Sequence, residues 1–319
     1  ILSNIQRISF HEKFGSADNL SFKDQDIPSL PPSSFLVKGH FASVSLGDVR
    51  IRSKNVPRGF KTIMSILFGF SKPRYHSLGT DYVGEVVKCN ANPDVKIGDR
   101  IVADLGMTLG GHVSHRIFKA TEVYIVVPNN VSSEAACSAV FGGVTALHFL
   151  RNKLQLKKDE KILIIGAGGA VGSSALQLAK FWGAHVTAVC SREKSNSVYE
   201  LGADQVIDYK TSNWKTQLRK YDVILDAVGE LHWSELIQVL APAGRLGFVV
   251  ADLMLNLRCA FLSLFSKRKY LAGSVKGTRQ DLAFLMDLIE QKKFKPLIGE
   301  IFDFDNIKHH LIQSSKTFS

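Results

Sequence analysis

The sequence lacks any run of about 18 or more uncharged apolar residues, the length a membrane-crossing helix needs. Its most apolar stretches, 60–70 and 253–265, are short and interrupted by polar or charged residues. Cysteine is scarce: Cys89, Cys137, Cys190 and Cys259 stand far apart, with no C-x-x-C pair and no histidine at a zinc-finger interval. Four scattered thiols in a chain of 319 residues suit a reducing compartment. No signal peptide is visible, so a cytoplasmic location is the expectation. The first residue is Ile1 rather than Met, which leaves open a removed upstream segment and an organellar address. Concentrated charge is missing too. The formal net charge is +11, yet the only basic block is Lys267, Arg268 and Lys269, and the other cations are dispersed among 29 acids. That pattern fits a solvated surface, and no nucleic-acid partner is expected. Repeats and low-complexity tracts are absent.

What is present divides into two textures. Residues 1–127 read as short β-rich segments, at 34–44, 81–88, 99–103 and 112–117, broken by Pro28, Pro31, Pro32, Gly98 and the pair Gly110, Gly111. Strands and helices then alternate. Strands are expected at 161–165, 185–190, 205–208, 222–228, 245–250 and 270–275, and helices at 171–182, 193–201, 213–220 and 232–240. Apolar strands without polar alternation, separated by helices, imply a parallel sheet covered on both faces. The fold class is therefore α/β, a doubly wound Rossmann sheet plus a β-rich domain. The expected division is 1–127, 128–275 and a return to the first domain over 276–319, with helices at 281–292 and 306–313 around a strand-like 297–304.

The chemistry-bearing motif is I-L-I-I-G-A-G-G-A-V-G at 162–172, set between an apolar strand and a helix. Gly166 permits a tight turn. Gly168 and Gly169 let backbone approach a pyrophosphate, and a side chain at Gly169 is expected to fill phosphate space and to demand a strained φ. Gly172 lets the helix pack on the sheet. The helix start at Ala170 and Val171 then offers free N–H groups to phosphate. The next strand bears on the cofactor. An NAD site usually carries an acid about 20 residues on, to bind the ribose 2′-hydroxyl. Here Cys190 holds that place, followed by Ser191, Arg192 and Lys194. A hydroxyl and a guanidinium suit a 2′-phosphate, so NADPH is the expected cofactor.

With these residues in view, the chain resembles the medium-chain dehydrogenase/reductase superfamily, in its zinc-free quinone oxidoreductase (zeta-crystallin-like) branch. The resemblance runs along nearly the whole chain. It rests on L-G-T-D-Y-V-G-E-V-V at 78–87, V-K-I-G-D-R-I at 95–101, F-G-G-V-T-A-L at 141–147, L-G-A-D-Q-V-I-D-Y at 201–209, D-A-V-G at 226–229 and L-A-P-A-G-R-L at 240–246. It implies that the β-rich part is a GroES-like catalytic domain and that the active-site cleft lies between the two domains. The positions where zinc relatives hold catalytic zinc correspond here to Ser45, Thr80 and Phe141, a set with no competent zinc ligands. The four-cysteine lobe of those relatives is missing as well, so no metal is expected. These three residues are expected to line the cleft. Without a Lewis acid, carbonyl-to-alcohol chemistry is disfavoured and a quinone or conjugated enone is the better hydride acceptor.

The resemblance also implies Thr145 near the nicotinamide, Tyr209 at the adenosine phosphate end, and Val228, Phe248 and Val249 beside the cofactor. Two departures stand out. The branch usually has Asn where this chain has Ser45, and its closing G-K-x-V-L strand is missing before Phe318 and Ser319, as in a truncated chain. Asp48 fits a cleft-lining or a turn-capping role equally, and Asp81 fits a structural one. No spacing marks His112, His115 or His148 as a base, and no catalytic acid is evident, which leaves water as the proton source. Residues 63–70 fit a lid, a membrane-surface patch or a buried helix, and their few charges favour the lid or the buried helix. A homodimer is carried as an open expectation. Two other functions stay open: a non-catalytic NADPH sensor or scaffold, and an enoyl-thioester reductase. The second is weakened because residues 48–56 lack the tyrosine such enzymes use.

Overall fold

The computed structural model describes residues 5–92, 94–229 and 231–317, with side chains to residue 312. The chain end at Phe318 and Ser319, and the first residue Ile1, lie outside the described residues. The chain opens with a hairpin, β1 (Ile5–His11) on β2 (Leu20–Asp26). An antiparallel sheet follows, built from β3 (Ser34–Phe41), β4 (Asp81–Asn90), β5 (Arg100–Asp104), β6 (His115–Lys119) and β7 (Tyr124–Val126), in the order β6-β3-β4-β5-β7. Between β3 and β4 lie α1 (Leu46–Ser53) and α2 (Lys61–Phe68).

Helix α3 (Ser133–Leu147), which passes into a π-helical turn at His148–Lys153, leads to the second sheet. Its elements are β8 (Lys161–Ile165), α4 (Ala170–Phe181), β9 (His185–Cys190), α5 (Ser195–Glu200), β10 (Gln205–Asp208), β11 (Tyr221–Asp226), α6 (Trp233–Val239), β12 (Leu240–Phe248), α7 (Leu253–Phe265) and β13 (Lys269–Leu271). The strand order is β10-β9-β8-β11-β12-β13 and every pairing is parallel. This is the doubly wound order, in which the chain reverses direction across the sheet beside β8. Helices α8 (Arg279–Glu290) and α9 (Ile307–Thr317) return to the first part of the chain: α8 packs on α3, β5 and β7, and α9 on α1.

The expected α/β architecture is observed, with local corrections. Residues 297–304 form no strand; Leu297, Ile298 and Ile301 are exposed and no neighbouring strand pairs with them. The segment expected as a strand from 112 begins only at His115, because a tight crossing of Gly79 over Gly111 and His112 occupies the residues before it. Residues 213–220 give a single 3-10 turn, Trp214–Gln217. α1 and α7 were not foreseen. α1 is set by a capping box in which Ser45 and Asp48 satisfy each other's backbone N–H groups. α2 is neither fully buried nor a plain surface helix: Phe68 is buried, while Ile63, Ile66 and Leu67 are exposed.

One apolar core runs from Val83 and Val102 of the antiparallel sheet, through Ala139, Val140 and Leu147 of α3, to Ile162, Ile164 and Val186 of the parallel sheet. α3 is buried nearly all round, and it crosses α4 so closely that a Cβ on Gly142 would overlap the Ala170 carbonyl oxygen. Overpacking such a contact costs about 1–3 kcal/mol or more. Gly142→Ala is expected to lower the thermal midpoint by several degrees, whereas Gly299→Ala, where nothing lies within 4 Å of an added Cβ, should leave it close to wild type. Equal midpoints in scanning calorimetry would contradict this account of the crossing.

Candidate active site and cofactor cleft

The glycine turn, expected to hold phosphate, joins β8 to α4. Gly166 has φ +82°, a left-handed conformation that favours glycine. A Cβ on Gly172 would overlap Gly166 O, so this glycine lets α4 lie against the turn. A Cβ on Gly168 would come 2.9 Å from Lys194 Cβ, which puts the turn beside the end of β9. Gly169 corrects one expectation. Its φ is −93°, open to any residue, and an added Cβ would meet only Gly166 O at 3.5 Å. It caps α4 with no side chain, so the N–H groups of Ala170, Val171 and Gly172 head the helix free for an anion.

At the end of β9, Cys190 is buried and pairs in register with Asp208 of β10. Ser191 then starts a 3-10 turn that leaves Arg192 and Lys194 exposed. Tyr209 N–H donates to Cys190 O at 3.2 Å and the Tyr209 ring is exposed, so it stands on the same rim. The one acid in the turn, Glu193, is engaged by Lys210 at 2.8 Å, and this hydrogen bond holds its carboxyl down at about 2. Asp208 is an acid close to this rim that the sequence reading did not weigh; its carboxylate accepts the Lys210 N–H at 2.9 Å.

The cleft proper is a cavity of about 570 Å³ between the two sheets' outer elements. One wall is Leu46, Val49, Arg50 and Ser53 of α1 with Arg58 beyond; the other is Val228, Gly229, Val250 and Ala251, just past the ends of β11 and β12. In doubly wound folds ligands bind outside the carboxyl ends of strands, and this wall is at that place. Asp226 shapes it. It is buried at the end of β11, and its Oδ1 accepts the N–H groups of Val228 at 3.0 Å and Gly229 at 2.8 Å. Asp226 is a functional-site residue beyond those expected above; an aspartate closing an apolar strand before x-x-Gly is the sequence signal for such a turn. Phe248 points away, buried in a stack with Trp233, and Val249 is half-buried behind the wall.

Ser45, Thr80 and Phe141, expected to line the cleft, are not among the walls of this cavity; Ser45 directly precedes the lining residue Leu46. Ser45 and Phe141 meet at Gly47, whose added Cβ would be 3.2 Å from Ser45 Oγ and 3.9 Å from the Phe141 ring. Ser45 Oγ donates to Asp48 Oδ2 at 2.7 Å. Asp48 is fully buried; it caps α1 and its Oδ1 accepts Gly79 N–H at 2.8 Å, so its role is structural. Thr80 Oγ1 is buried and makes no hydrogen bond among the described residues. Asp81, next to it, is buried, and burial pushes its carboxyl pKa up. It accepts Ser43 N–H at 2.7 Å, the Ser43 hydroxyl and the Cys137 thiol. His112 is interior, with Nε2 2.9 Å from Ser43 O. Thr145 lies one turn beyond Phe141 on α3 and its hydroxyl donates to Phe141 O at 2.7 Å.

Zinc would need thiolate, imidazole or carboxylate donors. The hydroxyls of Ser45 and Thr80 and the ring of Phe141 supply none. Among the described residues no group of three or more His, Cys, Asp or Glu could hold a metal ion. A dinucleotide fits better: the glycine turn is a cradle that side chains would fill, and free helix N–H groups and exposed cations surround it.

Comparison with known proteins agrees with this geometry. A family model described as zinc-binding dehydrogenase matches residues 201–317. The chain is 31% identical over 337 residues to the NAD(P)H oxidoreductase RTN4IP1, mitochondrial, of Homo sapiens, covering 93% of this chain and 83% of that protein. It is 29% identical over 305 residues to the quinone-oxidoreductase QR1, chloroplastic, of Triphysaria versicolor, covering 90% and 88%. The solved quinone oxidoreductase from Coxiella burnetii superposes with a TM-score of 0.84 at 24% identity, over 97% of this chain and 96% of that one, and shares the fold. On these grounds the chain belongs to the medium-chain dehydrogenase/reductase superfamily, in its quinone oxidoreductase branch.

Proposed function

We propose that this protein transfers hydride from NADPH to a quinone or an α,β-unsaturated carbonyl without zinc. Membership of the superfamily makes it an oxidoreductase that uses a nicotinamide cofactor on a small molecule. The finer reading is carried by one observation: the phosphate turn abuts a rim of Ser191, Arg192 and Lys194, while the nearby Glu193 is tied to Lys210. A 2′-phosphate would find cations there and no free acid from that turn.

In this reading the N–H groups at 170–172 hold the pyrophosphate, Arg192 and Ser191 hold the 2′-phosphate, and Tyr209 covers the adenosine end. Thr145 and Val228 flank the nicotinamide, with Val249 supporting Val228 from behind. When bound, NADPH supplies hydride from nicotinamide C4 to an electron-poor carbon of the substrate, and a proton from water completes the reduction. The chain's own contribution is orientation and exclusion of water. Asp226 fixes the loop against which the nicotinamide lies, and Val49, Val228 and Val250 give the cavity an apolar patch between its polar residues.

The substrate class has a second support. Leu255 of α7 lines the cavity, and Leu253 N–H donates to Arg58 O at 3.0 Å, so α7 starts at the cavity mouth. Met254, Leu257, Phe261 and Leu264 on α7 are exposed, as are Ile63, Ile66 and Leu67 on α2. An apolar approach of this kind favours a lipophilic acceptor. No helix among the described residues is long and apolar enough to cross a membrane. The chloroplastic and mitochondrial relatives support an organellar rather than a cytoplasmic location.

Losing one charge-assisted contact costs about 1.5–3 kcal/mol. Arg192→Ala is therefore expected to raise the Kd for NADPH by roughly ten-fold or more and to leave NADH nearly unchanged, as read by fluorescence titration. Equal losses for both cofactors would remove the phosphate assignment. NADPH oxidation with a quinone panel, followed by stopped flow, is expected to show turnover; binding without oxidation of any quinone or enone would favour a sensor. Activity is further expected to persist after exhaustive chelation. One zinc per chain retained through dialysis would refute a zinc-independent reaction.

A further inference from the structure

The cavity holds a charge that hydride transfer to a neutral acceptor does not use. Its wall past β11 and β12 is backbone and valine. The opposite wall, α1 and the loop after it, presents Arg50 and, further out, Arg58. Arg50 is half-buried, and its guanidinium makes no hydrogen bond or ion pair among the described residues. Arg52, two positions on, shows what a structural arginine on this helix looks like: it is buried, and it donates to Gly15 O. Arg50 has no such duty. Burial lowers its pKa from the ordinary arginine value, and no carboxylate offsets that effect. Arginine nevertheless stays charged at neutral pH, so a cation is held partly dry on the face of the ligand cavity. Asp252 is an acid on the same cavity, but it caps α7, with Oδ1 accepting Leu255 N–H at 2.7 Å.

We propose that Arg50 receives a carboxylate carried by the substrate, holding it across the cavity from Val228 and Val250 while the electron-poor carbon faces the nicotinamide. A planar guanidinium presents paired donors that match the two oxygens of one carboxylate. Exposed Arg58, at the mouth, adds attraction for the incoming anion. The substrate class narrows from any quinone or enone to those bearing an acid group. This rests on the hydride-transfer reading above.

The test uses a matched pair, 3-benzoylacrylic acid and its methyl ester, with the full chain and NADPH. The quantity read is the acid-to-ester ratio of kcat/KM, in wild type against Arg50→Gln, so that intrinsic reactivity cancels. The ratio is expected to fall by about ten-fold or more in the variant, chiefly through a higher KM for the acid, as loss of a charge-assisted contact predicts. Arg50→Lys, which keeps a cation but loses the fork, should retain part of the preference. An unchanged ratio would overturn the proposal. So would an equal loss for acid and ester, or a loss of NADPH affinity as large as the loss for the acid, since Arg50 would then serve the reacting carbonyl or the cofactor. If wild type reduces neither compound, the hydride-transfer reading fails for this class. The carboxylate site is then read by calorimetry, as binding of 3-benzoylpropionate to the protein loaded with NADP+. A drop of about ten-fold in Arg50→Gln would uphold it, and equal binding would end it.

Discussion

Helix α3 meets the first turn of α4 at Gly142 with no room for a methyl group. The whole arrangement depends on that approach. α3 also packs on β3, β4 and β5 of the antiparallel sheet, so a single helix joins that sheet to α4, the first helix of the parallel layer. The residues that face the cavity from the antiparallel side and those of the glycine turn are thereby held at a fixed offset. Gly172, which would collide with Gly166 O if it bore a side chain, does the same job within the parallel sheet by letting α4 settle on the turn. Interiors are packed densely enough that a shift at either glycine has nowhere to dissipate. Thr145, one helical turn beyond Phe141, inherits its position from this crossing.

Where α1, β4 and α3 meet, the chain builds a network of buried polar groups. Asp81 takes donors from Ser43 and Cys137, and Asp48 takes them from Ser45 and Gly79. Each carboxylate ties separate segments together. Asp48 links α1 to the start of β4, and Asp81 links β4 to the segment after β3 and to α3. Burying a carboxylate is costly unless it is well supplied with donors, and these two are. The network spends its polar groups on one another, which leaves few to face the cavity. That is a physical reason to look for substrate recognition in the helix wall rather than on the floor.

The parallel half was legible from sequence because its signals are local. β8 reads as an unbroken apolar strand, K-I-L-I-I, and the structure places it at the same residues, Lys161–Ile165. Gly166 and Gly172 carry the backbone demands read for them. The assignment of strain to Gly169 failed because φ depends on how the turn closes, which spacing alone does not reveal. The antiparallel half was less legible. β1, β2 and β7 have weak alternation, and β7 is held by register against β5, a non-local fact. Residues 297–304 look like a strand, but a strand exists only where an edge receives it. α1 was hidden because its capping box reads as an ordinary turn, and with α1 hidden, Arg50 gave no sign that it faced a cavity.

The two walls of the cleft have different physical origins. One consists of loop residues past β11 and β12, fixed by main-chain hydrogen bonds to buried Asp226; changing a side chain there leaves the backbone course largely intact. The other is one face of a short helix held by its own cap and by Asp48, and it presents side chains rather than backbone. A wall made of backbone suits a cofactor whose shape does not vary. A wall made of side chains on a capped helix can change its charge without moving the helix. Arg50 and Arg52 sit on that helix two residues apart, one lining the cavity and one buried and bonded to Gly15 O, so one residue type has two different surroundings on a single short helix. Under the proposed hydride transfer, cofactor and substrate would then be held by different walls, and a change of side chain on α1 would alter the second without disturbing the first.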